Sequence, residues 1–467
     1  MFDDSMQSSN NRLMKFQYAF ILGNHPVISQ AEIIALLPHA HILCSTNETL
    51  FIELSTDLPS DFLNGLGGTI KIARIESETK MINNQIFELI LNKREEKQHT
   101  RNHKKREKIQ IRKIDFGISW YGSKNRKLAL RNGLEFKKYL KSKGIKSRLV
   151  TSQGKTLSSV VVEKNHLVSD GIEFIIIENG HDFYSGYTIA IQNFESYSLR
   201  DYGRPARDDR SGMLPPKVAQ MLINLTGTDK NRILLDPFCG SGTILQEALL
   251  LGYEKIIGAD KDIVAIENTK KNLVWLSTHF LPSYKQTHSD TQKESHRVKA
   301  IMPELIESPI ENLNKYIKGA SVHCIVFEGF LGSPNITYRQ LPGTVAELTA
   351  LYKSTFHICA QLLVANGIIA CALPAWRFHN TFTFLPMNTL LPKNLQLQNR
   401  VNQTPRKSFI YARPMQTVCR EIFILKKRAY ATDGIVSPCN RRKMNAEDSI
   451  AIITKKDKTS NSDAAVW

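Results

Sequence analysis

The segment Arg232–Asp260, RILLDPFCGSGTILQEALLLGYEKIIGAD, holds residue types that can do chemistry at a spacing that groups them. Apolar residues ending in Asp236 read as a short buried strand, followed by the turn Cys239-Gly240-Ser241-Gly242-Thr243 and an apolar helix. A second strand ends in another acid, Asp260, 24 residues after Asp236. In an open α/β sheet, ligands gather outside the carboxyl ends of the strands, so this order brings both acids and the turn to one edge. Gly240 and Gly242 have no Cβ, so the backbone there can turn tightly and come close to a ligand. An acid ending the second strand can accept both hydroxyl hydrogens of a ribose. Together these residues describe a pocket for a nucleoside.

The turn also says which kind of nucleoside. DPFCGSGT is neither GxGxxG nor GxxxxGK[ST], the two phosphate-cradling patterns. An acid beside the glycines repels pyrophosphate and suits a cationic ligand with an amino group. S-adenosylmethionine has that chemistry: an adenosine, a ribose diol, a sulfonium and an ammonium. The bland alternative is a tight strand–helix turn without a ligand, and Asp260 argues against it. Cys239 lies in the turn and Cys324 in an apolar strand, with no basic neighbour to activate a thiol, so both read as packing residues rather than nucleophiles. The seven cysteines are scattered without a CxxC pair, which argues for a reducing cytoplasm and against a metal site. His39 and His41 lack partners and read as solvated loop residues.

The elements that must position these residues follow from the rest of the chain. At 467 residues, two or three domains are expected. The formal charge of +18 attracts polyanions, of which nucleic acid is the commonest in a cytoplasm; the alternative is a charge that only keeps the protein soluble. No apolar run approaches the ~20 residues of a membrane helix, and the N-terminus has no apolar signal core. Residues 14–80 alternate as β-α-β-β-α-β, a ferredoxin-like order. Residues 81–196 read as a second α/β unit. They include the basic stretch 93–113 and a lysine-rich helix and turn (Lys137, Lys138, Lys141, Lys143, Lys146, Arg148), a surface suited to an RNA backbone or simply a solvated face. Residues 197–430 begin with an Arg- and Gly-dense loop and then alternate strand and helix, the pattern of a doubly wound, Rossmann-like sheet. Residues 431–467 read as a polar tail without a core. The expected class is α/β, with a doubly wound C-terminal domain preceded by two α+β units.

A family resemblance then becomes specific. LLDPFCGSGTILQEA resembles the cofactor motif of class I RNA methyltransferases, and RDYGRPARDDRSGMLPPKVAQMLINL resembles the segment that precedes it in the tRNA guanine-N2 methyltransferases. Those enzymes carry an N-terminal ferredoxin-like domain and a THUMP domain, a tRNA-binding module, in the order seen here. SFIYARPMQTVCREIFILKK is similar to the family's closing strands, so the resemblance runs over roughly residues 14–427. It implies methyl transfer to the exocyclic N2 of a guanosine in tRNA, the one at position ten. It also implies that Asp236, Gly240 and Gly242 hold the methionine part of S-adenosylmethionine and that Asp260 holds its ribose. Arg204 and Asp208 would pass near the cofactor and the nucleotide entry. Some family members work with a small activator protein, which this sequence leaves undecided.

The chain departs from the family at the catalytic motif. After the fourth strand the family reads Asp-Pro-Pro-Tyr: the acid or a backbone carbonyl accepts a hydrogen bond from the target amine, and the aromatic stacks on the extruded base. Here that place reads CIVFEGFLGSP, with Glu328 and Gly329 in place of the prolines and the acid displaced by one position. Phe330 can supply the aromatic face. Either Glu328 takes the acid's role on a re-aimed turn, or it only holds the turn. On the third strand, Glu307 or Ser308 could face adenine, and the register does not decide between them. Two other functions stay open: a ribosomal RNA guanine-N2 methyltransferase, and an RNA-binding protein that keeps the cofactor fold with weakened catalysis.

Overall fold

Apolar residues on β1 (Phe16–Leu22) and β3 (Thr49–Leu54) pair antiparallel and bury Tyr18, Phe20 and Leu50 completely. The computed structural model describes residues 15–101, 113–122, 125, 127–207, 213–281, 302–379, 381–399 and 405–429, with the backbone alone for 97–101. The expected tail 431–467, Asp208 and most of the basic stretch 93–113 lie outside these residues. The fold below belongs to one unit, Met1–Arg428.

Between β1 and β3 lie α1 (Pro26–Leu36), which starts on a proline whose missing N–H costs nothing there, and β2 (His41–Ser45). β4 (Thr69–Thr79) then completes the order β2-β3-β1-β4, the strand order of a ferredoxin-like unit. His41 is an exposed strand residue rather than a loop residue. The helix expected near residue 62 is a single 3-10 turn, Phe62–Gly65. The glycines that follow stop it for a packing reason: a Cβ on Gly67 would overlap the Lys217 carbonyl, and one on Gly68 would overlap Ser29.

The next elements are α2 (Asn84–Arg101), β5 (Ile114–Tyr121), α3 (Leu128–Ser142), β6 (Ser147–Val150), α4 (Ser159–Lys164), β7 (Ile172–Asn179) and β8 (Asp182–Ile191). β8 pairs with β4, so both N-terminal groups of strands share one eight-stranded sheet. Within it Lys71 and Glu173 form a buried ion pair at 2.6 Å, and Ser119 and Thr188 donate to the same carboxylate. α3 buries Phe136 and Leu140 and exposes Lys137, Lys138 and Lys141. At the head of the basic stretch, Lys93 pairs with Glu76, and Arg94 is buried against the Val168 and Ser169 carbonyls.

The chain crosses to the second sheet through α5 (Phe194–Tyr202) and α6 (Pro216–Leu225). There β9 (Ile233–Asp236), α7 (Thr243–Leu250), β10 (Lys255–Asp260), α8 (Ile263–Phe280), β11 (Glu304–Glu307) and β12 (Val322–Glu328) alternate. α9 (Leu341–Leu362) leads into β13 (Leu363–Phe378), which runs longer than its sequence pattern indicated. β14 (Thr381–Phe384) and β15 (Leu395–Leu397) were not anticipated; β16 (Phe409–Tyr411) and β17 (Val418–Lys427) close the region. The order is β11-β10-β9-β12-β13-β17-β15, parallel through β13 and antiparallel at β17. From β9 the chain moves outward on one side to β11, then returns to β12 on the other. The crevice for a ligand therefore opens between β9 and β12, at their carboxyl ends. Among the described residues no helix is long and apolar enough to cross a membrane.

Candidate active site

The turn after β9 is shaped by its neighbours. The Cys239 N–H donates to the Ala259 carbonyl at 2.8 Å, which ties the turn to β10. Gly240 and Gly242 both adopt left-handed backbone, at φ +52° and +84°. A Cβ on Gly242 would sit 2.9 Å from Thr269, whereas one on Gly240 would meet open space. From α8, Thr269 donates to the Gly240 carbonyl (2.7 Å) and Asn272 to the Ser241 carbonyl (2.8 Å). Asp260 receives the Gly240 N–H on one oxygen (2.9 Å) and the Asp262 N–H on the other (3.0 Å). Asp262 in turn caps α8 by accepting the Val264 N–H at 2.9 Å. Both expected acids and both glycines thus meet at one strand edge.

Asp236, Gly240 and Asp260 line a cavity of about 940 Å³, and Gly242 lies between two further lining residues, Ser241 and Thr243. Asp236 is buried at its inner end, with one oxygen accepting the Phe238 N–H at 3.0 Å. Burial pushes its carboxyl well above the usual range, and the charges of Asp260 and Glu328 add to the shift. On the third strand the register resolves the open choice: Ser308 borders the cavity with its N–H on the Asp260 carbonyl (2.8 Å), while Glu307 is exposed. Among the described residues, six carboxylates line the cavity against two basic side chains, Arg207 and Lys261. Such a lining disfavours phosphate and favours a cation, and the open space at Gly240 leaves a cradle that any Cβ would narrow. The donor set fits S-adenosylmethionine.

Glu328 ends β12 at the cavity wall, but both of its oxygens are held. Arg420, buried on β17, donates from Nε to one and from Nη2 to the other, the second at 3.3 Å. Burial pushes the Glu328 carboxyl up, and the guanidinium opposes that push. Gly329 is required by packing, because a Cβ there would overlap the Tyr352 hydroxyl. That hydroxyl donates to the Phe330 carbonyl at 2.7 Å and fixes the turn in which the family has prolines. The Phe330 ring is 54% exposed at the cavity. Arg204 lies apart from the cavity lining: it is buried, donates to the Thr243 hydroxyl (2.6 Å) and so supports the start of α7. Its neighbour Arg207 borders the cavity instead. Cys239 and Cys324 are buried, with Cys324 pushed up to about 12, so neither presents a thiolate. Among the described residues no group of His, Cys, Asp and Glu is arranged to hold a metal ion.

Arg420, Arg207 and Asp262 were missed as site residues. Arg420 left a signal, since a charged pair, Arg420-Glu421, inside the apolar strand VCREIFIL implies buried partners.

Comparison with known proteins places part of this architecture. Over 62 residues the chain is 45% identical to the tRNA (guanine(10)-N2)-dimethyltransferase of Methanothermobacter thermautotrophicus, which is 13% of this chain and 18% of that protein. Over 107 residues it is 34% identical to the enzyme of the same name from Methanocaldococcus jannaschii, covering 22% and 28%. The chain therefore spans less than a third of the length of these curated relatives. The structure of TrmN from Thermus thermophilus aligns over 89% of this chain and 100% of that one, at 14% identity and a TM-score of 0.46. Residues 204–327 match the model of the UPF0020 family (RMKL-like, methyltransferase domain), and that part of the chain is a methyltransferase domain.

Proposed function

We propose that the protein is an S-adenosylmethionine-dependent RNA methyltransferase acting on the exocyclic N2 of a guanosine in tRNA. The observation that carries this reading is the convergence of Asp236, the Gly240–Gly242 turn, Asp260 and Glu328 on one acidic cavity at the switch point of the second sheet. The names of the two archaeal relatives support the substrate. Bound in this cavity, S-adenosylmethionine supplies an electrophilic methyl group on its sulfonium. Asp260, oriented by two backbone N–H groups, turns its remaining lone pairs toward a ribose diol. Asp236 and the Gly240–Gly242 turn would receive the ammonium end. Glu328 would accept a hydrogen bond from the guanine amine and orient its nitrogen lone pair, while Phe330 would stack on the base.

The domain reading accompanies this proposal: residues 14–80 as the ferredoxin-like domain, 81–196 as the THUMP domain and 197–430 as the methyltransferase domain. The exposed lysines of α3 then grip the tRNA backbone. Six described cysteines are free thiols, which fits a reducing, cytoplasmic setting. The Glu328–Arg420 pair favours one second reading, an RNA-binding protein with a cofactor fold and slow turnover. Methyl transfer from labelled cofactor to bulk tRNA and to ribosomal RNA, side by side with Glu328→Ala, separates these readings. Label in tRNA guanosine that disappears in the variant is expected. Label in ribosomal RNA alone moves the substrate, and cofactor binding without label in either RNA supports the slow-turnover reading. Label in tRNA only after a small activator protein is added would establish that partner.

A further inference from the structure

We propose that Arg420 is a positioning residue for this reaction: its guanidinium fixes the direction of the Glu328 carboxylate, and Tyr411 of the neighbouring strand β16, backed by His25 at the start of α1, braces it. The proposal rests on the role given to Glu328 above and adds how that role is maintained in a chain without the Asp-Pro-Pro-Tyr turn.

The register of the sheet explains how the two side chains meet. Glu328 lies opposite Ala372 of β13, and Arg420 lies opposite Pro374 of the same strand. Positions two apart on a strand share a face, so both side chains rise on one side of β13 and reach across it. Ala372 and Pro374 are short enough to let them pass. The contact is two-pronged, Nε to one oxygen and Nη2 to the other, which fixes the carboxylate plane as well as its place. Nη2 also lies 3.5 Å from the Met213 carbonyl, just before α6.

Arg420 is itself held. In the β16–β17 register it pairs with Tyr411, whose ring lies under the guanidinium at 5.9 Å. Tyr411 packs at a tilt against His25, the residue that precedes α1, with centroids 4.1 Å apart. A line of contact therefore runs from the first sheet's helix through a ring pair and a cation to the acid at the cavity.

A purely structural role is a poor account of this arrangement. A buried ion pair adds little stability over apolar side chains of the same volume, and here it sits at the end of a strand beside the reacting groups. Among the described residues, the charged and titratable groups facing Glu328 are Arg420 from β17, Asp236 from β9 and Tyr352 from α9, while β13 presents Ala372 and Pro374. Without Arg420, burial favours the protonated acid, which presents an O–H where the amine needs an acceptor.

The test uses Arg420→Met, Arg420→Lys, Glu328→Gln and the Arg420→Met/Glu328→Gln pair in the full chain. The Glu328 carboxyl is followed by carbon NMR, assigned by its absence in Glu328→Gln, alongside kcat and KM for tRNA between about pH 5 and 9. In Arg420→Met the Glu328 titration should rise by about one pH unit or more. The acid limb of kcat should move with it, and kcat at neutral pH should fall roughly tenfold or more while KM for tRNA holds. Arg420→Lys should restore the titration but only part of kcat, because an ammonium has no fork. The double variant should be no worse than Glu328→Gln alone. An unmoved Glu328 titration in folded Arg420→Met, or losses that multiply in the double variant, would overturn the proposal. Should Arg420→Met not fold, Tyr411→Leu replaces it. A smaller shift in the same direction is expected there, and no shift would remove the brace. If the natural protein binds S-adenosylhomocysteine yet methylates no RNA, the functional reading fails, while the titration still decides whether Arg420 holds Glu328.

Discussion

Gly242 sits at φ +84° where α7 begins, and a Cβ there would press on Thr269, whose hydroxyl holds the Gly240 carbonyl. Gly242→Ala should therefore cost about 1–2 kcal/mol from the left-handed backbone alone and more from the displaced threonine. Gly240→Ala carries the strain without the clash and should cost less. Thermal melting with and without S-adenosylhomocysteine ranks the two, and a larger loss in Gly240→Ala would contradict the packing argument. At Asp260 both oxygens accept backbone N–H groups, so Asp260→Asn turns an amide toward one donor. Cofactor affinity measured by calorimetry should fall at least about tenfold, since a lost charged acceptor is worth roughly 1.5–3 kcal/mol. The acids and glycines of this site were legible because they are local, a strand end and a turn within one stretch. Arg420 was not, because its partner lies 92 positions away and only the sheet register brings them together.

At the scale of elements, the joint between α1 and α6 is the most exacting contact. Glu32 of α1 is fully buried and accepts the Gly67 and Gly68 N–H groups (2.8 and 2.9 Å) and the Asn224 amide of α6 (2.8 Å). Burial outweighs these three donors and lifts its carboxyl from 4.5 to about 7. From about pH 4.5 to 7 the native state keeps a proton that the unfolded chain releases, so stability falls as pH rises through that window and levels off above it. The full span is on the order of 3 kcal/mol. Melting temperature against pH should show this decline in the natural protein, with a flatter profile in Glu32→Gln. An unchanged slope would mean that another group carries it. The sequence pattern gave α1 and the strands around it, because a helix with one apolar face and short alternating strands have distinct periods. It overstated the second helix of that unit, because the glycines that end it are demanded by packing against α1 and α6, elements distant in sequence.

Across the whole molecule, the strand–helix alternation after residue 231 announced a doubly wound sheet, and the structure has its strand order. That β4 and β8 join two groups of strands into one sheet was not legible, since periodicity reports which face is buried and says nothing of which edges pair. The same scale would govern the RNA capture proposed above. The charge of +18 is spread over the chain, but Lys137, Lys138 and Lys141 stand exposed together on α3. Replacing the three by alanine should weaken tRNA binding and lower its salt slope by about one per phosphate contact removed, with S-adenosylhomocysteine affinity unchanged. Filter binding at several salt concentrations reads this, and an unaltered slope would show that the lysines only solvate the helix.

The Gly67 approach to α6, closed by Glu32 and Asn224, has a further meaning once the α3 face and the cavity are considered together. One continuous sheet joins α3 to that joint, and the joint is packed down to the backbone. The separation between an RNA grip on α3 and the acid at the end of β12 is then a built-in length. On the proposed reading, in which RNA is gripped at α3, only nucleotides lying at that reach could be offered to the acid, so the frame of the protein would measure out its target as a calliper does.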